Sequence, residues 1–484
     1  MDDDSGGEHQ RSPDPSVTRR RFLAGAAGAA AAAPVILVAC SSDAEPQAKP
    51  AASTTTDPAA RTGATSTTAP RPAGTRPDPT TLPSVVGDGV ADDHAALQAI
   101  FDQLRPDEGV AGARIVLPPG VFLLGDTLEL QRFSGSIEGQ GVGHPPTKGG
   151  QGTVLRWAGP PGRPMIRVRD SKGVLVGRIR FEGHDERPPS AGIEFQGAAQ
   201  DQQGTNAQLV VSDCHLGPWT WAEAGTDQGR LDAAIAFTGD NGNNDQFSIL
   251  RCTFAGGGRE GTTGVRIDNT QSVWGQLTDC LFDDLAEGLR TSASTVLDNP
   301  QFNRCGTDLV VGSTAQVQVR DGNSEQSGRI ATVAPEAGLR WNGGYLQAHA
   351  EHMGPVLIDA FPSESASVVL RDVRITYPTG RGRPWREGTR PTIRFGPDRA
   401  AKVSAGGPGF VVRATDCTGL YADQFELAGE LWAVVPASRG SVEVTSRHRE
   451  GVVAFRNELW NDQVGFGRTR LDTAAWDPPR PGTW

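Results

Sequence analysis

Seven short segments of this chain share one residue pattern. They are "VGRIRF" around Ile179, "VSDCHL" around Cys214, "ILRCTF" around Cys252, "LTDCLF" around Cys280, "FNRCGT" around Cys305, "LRDVRI" around Val373 and "ATDCTG" around Cys417. The central position is Cys, Ile or Val; two residues on stands Phe181, Leu216, Phe254, Phe282 or Ile375, and three residues earlier Val176, Val211, Ile249, Leu277, Phe302 or Leu370. Steps of 35, 38, 28 and 25 residues join the first five, and a gap of 68 before Val373 leaves room for one or two further units. Each unit is long enough for about three short strands with turns. Alone, such a unit cannot bury its apolar side, whereas stacked on copies of itself it can.

The chain has 61 Gly and 35 Pro but 3 Met among its 484 residues, a turn-rich composition that favours β structure. An all-β, right-handed parallel β-helix fits both observations. Equivalent inward positions then line up one strand spacing, about 4.8 Å, apart. In such a core Ile179, Cys214, Cys252, Cys280 and Cys305 form one vertical file, in which cysteine acts as a small dense hydrophobe. Five cysteines follow Cys40, an odd number that cannot pair completely within the chain, and disulfides between rungs are the competing reading. No CxxC pair or nearby histidine marks them as metal ligands.

The residue before each file position is charged: Arg178, Asp213, Arg251, Asp279, Arg304, Asp372 and Asp416. Because the apolar position three before the file residue and the file residue itself differ by an odd step, a bend lies between them with this charge on its outer corner. Alternating signs on neighbouring corners predict a register-fixing ladder of exposed ion pairs, each worth about 0.5 kcal/mol.

Ahead of the repeats, "TRRRFLAGAAGAAAAAPVILVAC" places Arg19, Arg20 and Arg21 before an alanine-rich apolar run that ends at Cys40. This resembles a twin-arginine lipoprotein signal peptide over residues 1–40, with Cys40 as the lipidated residue. Residues 41–81 are rich in Pro, Thr and Ala and read as a disordered tether, leaving 82–484 as the β-helix domain. The expected location is extracytoplasmic, with the membrane reached through a lipid anchor only. Net charge of −11 and a pI near 5.3 argue against nucleic acid as partner.

"VVGDGVADDHAALQAIFDQL", followed by "GARIVLPPGVFLLGDTLEL" and "GSIEGQG", resembles the opening segment of the pectate lyase superfamily of right-handed β-helix proteins, which includes polysaccharide lyases, glycoside hydrolases and phage tail proteins. Asp93 is placed to cap a helix whose Leu97, Ile100, Phe101 and Leu104 share a face and plug the open end of the solenoid. The resemblance implies the fold. It does not carry an activity, since Asp92 and Asp93 belong to the helix, Asp283 and Asp284 lack a Gly-His-Gly partner, and no lyase signature is present.

The connection after each repeat is the most variable part of the unit, so the site is expected there. The strands beyond it, "GIEF", "AIAF", "GVRI" and "GLRT", turn Glu194, Ala236, Arg266 and Arg290 outward, and the following turns add Asp240 and Asp268. His184, Asp185, Glu186, Trp219 and Trp221 would wall this cleft. Guanidinium groups pair with uronate carboxylates, carboxylates hold Ca²⁺, and indoles stack on pyranose faces. A lyase needs a base, for which Arg266 and Arg290 are candidates; a hydrolase needs two opposed carboxylates, for which Glu194, Asp240 and Asp268 stand. The expected partner is an extracytoplasmic, acidic polysaccharide, bound and cleaved, with Ca²⁺ as the candidate cofactor. The rival expectation is a non-catalytic envelope scaffold or adhesin. "DNGNND" from Asp240 reads either as a calcium-friendly turn or as ordinary turn chemistry. The basic loop at 379–391 with Trp385 and the pair His349 and His352 are lesser candidates.

Overall fold

The computed structural model describes residues 35–37, 85–103, 112–143, 152–197, 205–218, 229–239, 242–348, 353–354, 356–360, 367–376, 392–395, 411–418, 425–427, 440–448 and 451–459. Apart from Val35–Leu37, the signal and tether expectations lie outside them, as do Leu104, Trp219, Trp221, Asp240, His349, His352 and Trp385.

Three short strands make one winding: Ala113–Val116, Gly120–Leu124 and Leu128–Gln131, one on each of faces one, two and three. The next winding repeats them as Gly135–Glu138, Thr153–Trp157 and Ile166–Arg169, each paired in parallel with its counterpart. Face three grows into a sheet of 11 strands ending at Phe425–Leu427. Faces one and two merge through Val411–Thr418, which pairs with both Ser367–Arg371 and Arg374–Thr376. The chain is a right-handed parallel β-helix. Between Cys305 and Val373 run two windings that the residue pattern does not mark, 316–333 and 338–360.

Alternation along each strand sends one set of side chains into the tube. On face two Phe254, Phe282 and Phe302 stack on successive windings with centroids 4.9 and 4.8 Å apart, and on face three Phe195 and Phe237 stack at 5.1 Å. Like side chains one rung apart thus stack continuously along the core.

The bend between faces one and two is made by a single residue in the left-handed region: Arg178 (φ 57°), Asp213 (φ 55°), Arg251 (φ 51°), Asp279 (φ 54°) and Asp372 (φ 53°). Each bend keeps Ile179, Cys214, Cys252, Cys280 or Val373 buried just behind its charged outer residue. Cys417 continues this file, since Arg374 pairs with Thr418; there the bend is absorbed inside one strand, with a register irregularity between Ala414 and Cys417.

Cys305 does not belong to the file. Phe282 pairs with Phe302, which places Pro300 on Cys280 and Cys305 on Leu285, at the following corner between faces two and three. The chain bends twice within five residues, at Asn299 (φ 52°) and Arg304 (φ 53°), and both bends present a polar residue followed by a small buried one. Arg304 accordingly sits on Asp284, and Asn299 Nδ2 donates to Asp279 at 2.8 Å.

The five thiols Cys214, Cys252, Cys280, Cys305 and Cys417 are buried and unbridged. Burial pushes Cys280 up to about 12 and moves Cys252 and Cys305 in the same direction.

Helix His94–Gln103 lies across the first winding with Leu97, Ile100 and Phe101 buried. Its Gln98 side chain substitutes for a missing strand: Nε2 donates to Glu129 O at 3.0 Å, and Glu129 N donates to Oε1 at 2.8 Å. The open edge of face three is satisfied there. Asp93 precedes the helix, and its carbonyl accepts from Leu97 N at 2.9 Å. Its carboxylate, however, turns back to accept from Val86 N at 2.7 Å and Gly87 N at 3.1 Å, while Asp92 Oδ1 takes His94 N at 3.0 Å. Val35–Leu37 pair with Arg114–Val116 on the first edge of face one.

Candidate functional site

Two outward surfaces meet where the variable connections leave face two and enter face three. Along face three, Glu129, Arg167, Glu194, Ala236, Arg266 and Arg290 are register partners on six successive windings. The row predicted from sequence is one surface, and it extends two windings earlier.

Glu194 is fully committed on it. Arg167 Nε meets Glu194 Oε2 at 2.6 Å, and Thr238 Oγ1 donates to Oε1 at 2.7 Å. Arg167 also reaches Glu129 at 3.0 Å, and these two carboxylates hold its guanidinium charged against burial. Further along, Arg266 Nε lies 3.0 Å from Asp268 Oδ2, and Arg290 Nε donates to Glu287 Oε2 at 2.6 Å. Glu287 raises the Arg290 pKa, so Arg290 is a fixed cation and unsuited to act as a base. Glu194, Arg266, Asp268 and Arg290 therefore share one face but are paired along it, and do not converge on one point.

The corner carries the more reactive arrangement. Asp185 Oδ1 accepts from Arg230 N at 3.0 Å and its Oδ2 from Arg259 Nη2 at 2.8 Å, tying together connections from three windings. His184 stabilises its own loop, its Nδ1 accepting from Glu186 N and Arg187 N at 3.2 Å each. Asp283 is buried and accepts from Asn303 Nδ2 at 2.9 Å and Arg304 Nη2 at 3.0 Å. Its chain neighbour Asp284 is half-buried, with Arg304 Nε 3.7 Å away. Burial and the Asp283 charge push the Asp284 carboxyl up, against Arg304 and Arg259.

Gly258 (φ 70°) lies beside Asp284, whose side chain is 30% exposed. A Cβ on Gly258 would sit 3.7 Å from both Asp284 carboxylate oxygens. A half-buried carboxyl whose pKa is pushed up is the kind of group that serves as a proton donor in acid–base chemistry. Among the described residues no group of three His, Cys, Asp or Glu side chains is placed to hold a metal ion. Asn244 of the "DNGNND" turn is buried, accepting from Asn206 Nδ2 at 2.8 Å and donating to Thr238 O at 3.3 Å, so it is a rung of the fold.

Behind the corner, on face two, Arg156 and Arg180 both grip Glu182, at 2.7 and 2.9 Å. Burial lowers Arg180 to about 10 and, together with the Arg180 charge, takes His215 down to about 4, so this imidazole is neutral. Arg230, Arg259 and Arg304 are the site residues that sequence reasoning missed, while Asp283 and Asp284 of the "FDD" doublet were set aside there for want of a Gly-His-Gly partner.

No known protein-family profile matches the chain, and no curated protein matches it in sequence. Solved structures do. The A-module of the Azotobacter vinelandii mannuronan C-5 epimerase AlgE4 is 12% identical, with 73% of this chain and 97% of that one covered and a TM-score of 0.40. The surface adhesin PfbA of Streptococcus pneumoniae is 12% identical over 77% and 94%, with a TM-score of 0.37. A tailspike double mutant of E. coli bacteriophage HK620, in complex with a pentasaccharide, is 12% identical over 76% and 80%, with a TM-score of 0.42.

Proposed function

We propose that the protein binds an acidic extracytoplasmic polysaccharide along the corner between faces two and three. The supporting observation is the band formed by Asp185, Arg230, Arg259, Asp284 and Arg304, in which guanidinium groups from successive windings lie beside a half-exposed carboxyl. Arginines contributed by several windings suit a chain of repeating carboxylates. The epimerase and tailspike named above act on or bind saccharides, in keeping with this reading.

A location outside the cytoplasm belongs to the same proposal. It rests on Arg19–Arg21, the apolar run and Cys40.

Cleavage is the finer part of the proposal. Asp284 is the proton donor that the local environment favours, beside Asp283, which accepts from Arg304 and Asn303. The non-catalytic reading is favoured by a specific observation: Glu194, Arg266 and Arg290 are occupied in ion pairs.

The test is affinity electrophoresis and product analysis of the full chain with uronate and neutral glycans. Retardation by uronates, lost in Arg259→Gln/Arg304→Gln, supports binding; new reducing ends or unsaturated products, lost in Asp284→Asn, support cleavage. Wild-type mobility in every acidic gel overturns both.

A further inference from the structure

Face one carries a different surface chemistry. Trp274 is 73% exposed and sits at φ 56°, in the left-handed region that a bulky side chain seldom occupies. Register places it directly over Gln246, which lies over Gln208, and both glutamines are exposed at φ 54° and 56°. The next winding puts Ser294 in the same row, and Gln276 is exposed two residues beyond Trp274.

The adjacent outward row reads Leu175, Val210, Ser248, Gln276 and Val296 on the same windings. On these windings neither row contains an ionised group, in contrast to the arginines and carboxylates of face three. Ionised groups flank these windings, with Lys172 and Asp245 before the rows, Asp298 after them, and Arg340 in the second row two windings beyond Val296.

The backbone under the indole is fixed. Gln246 N donates to Val273 O at 3.0 Å, and the Phe247 ring presses on Gly275, where an added Cβ would meet its Cζ at 2.0 Å. Phe247 is itself packed on Phe237 at 4.2 Å. A ring held outward at a costly backbone angle by a rigid core is preorganised for a flat apolar partner.

We propose that Trp274, with Gln208, Gln246 and Gln276, forms a subsite for an uncharged glycan, separate from the charged corner. The indole stacks on the C–H face of a pyranose, and the amides, which both donate and accept, pair with its hydroxyls. Rows about 4.8 Å apart present one contact per winding to a chain lying along the axis. The uncharged rows carry no attraction for a uronate, so the two surfaces discriminate by charge.

The experiment is affinity electrophoresis of the full chain in gels containing neutral β-glucan, α-glucan or galactomannan, with polygalacturonate as the acidic control. A neutral glycan retards the wild-type chain; Trp274→Ala weakens this about tenfold, the worth of one aromatic stacking contact. Trp274→Tyr retains most of it, and Arg259→Gln leaves it unchanged while weakening polygalacturonate binding. Circular dichroism and melting of Trp274→Ala match wild type, as expected for an exposed side chain. Absence of retardation by every neutral glycan, or equal retardation of wild type and Trp274→Ala, overturns the proposal. So does a fall in sedimentation coefficient on Trp274→Ala, which would assign the face to a second copy of the chain.

Discussion

Arg251 grips Asp213 on the preceding winding through two hydrogen bonds of 2.6 and 2.7 Å. The pair holds the Asp213 carboxyl below its usual range, so its contribution is present at neutral pH and fades as acid protonates the group. Both side chains are largely exposed, at 57% and 39%. Replacing Arg251 by Ala should cost about 0.5 kcal/mol, read as a small fall in urea midpoint that disappears in high salt.

Phe282 lies between Phe254 and Phe302 in the face-two stack. Phe282→Ala should destabilise by about 3–5 kcal/mol, because neighbouring rungs cannot collapse into the gap. Urea unfolding followed by circular dichroism measures it; a loss below about 1 kcal/mol would contradict continuous packing of the tube.

Asp308 is fully buried, with Oδ2 accepting from Ser324 Oγ at 2.5 Å, and burial pushes its carboxyl up to about 8. The folded chain retains this proton where the unfolded chain has lost it, so stability falls as pH rises from the ordinary value of 3.8 to about 8. The expected slope is about 1.4 kcal/mol per pH unit from this group. Asp308→Asn should flatten that part of the profile and melt higher than wild type above pH 8, seen by calorimetry across the range.

Burial suppresses the thiolates of Cys252, Cys280 and Cys305 and shields all five core thiols from solution. A chromogenic disulfide reagent at pH 8 should leave Cys214, Cys252, Cys280, Cys305 and Cys417 unlabelled in the native chain and label all five after denaturation. Fast native labelling of any of them, located by mass spectrometry, would place that residue outside the core.

At the corner, Asp283→Asn should lower stability by about 1–3 kcal/mol, since Arg304 loses a buried partner. Asp284→Asn should leave the melting temperature near wild type and abolish any cleavage. Since the folded pKa of Asp284 is raised, activity that needs its proton falls as pH increases. A pH–rate profile on a uronate glycan checks the sign.

The winding was readable because apolar positions recur at a fixed offset from each bend, and strand alternation turned Glu194, Ala236, Arg266 and Arg290 to one face. "MIRV" before Arg169 follows the same alternation, so Arg167 was within reach of the same reasoning. Cys305 misled because both bends of a winding join a left-handed polar residue to a small buried one, and Phe302 suits either alignment. Pairing Phe302 with Phe282 resolves it and brings Arg304 to Asp284. The meeting of Asp185 with Arg259 has no periodic signal. It depends on how three irregular connections fold over one another, which strand spacing does not encode.

Gly440–His448 and Gly451–Leu459 form an antiparallel hairpin on the final strand of face one. Strand polarity therefore flips at this terminus. A second molecule offering its first rung in the solenoid's own direction would meet Gly451–Leu459 antiparallel rather than parallel, so the winding-on-winding register of the tube does not carry across that edge.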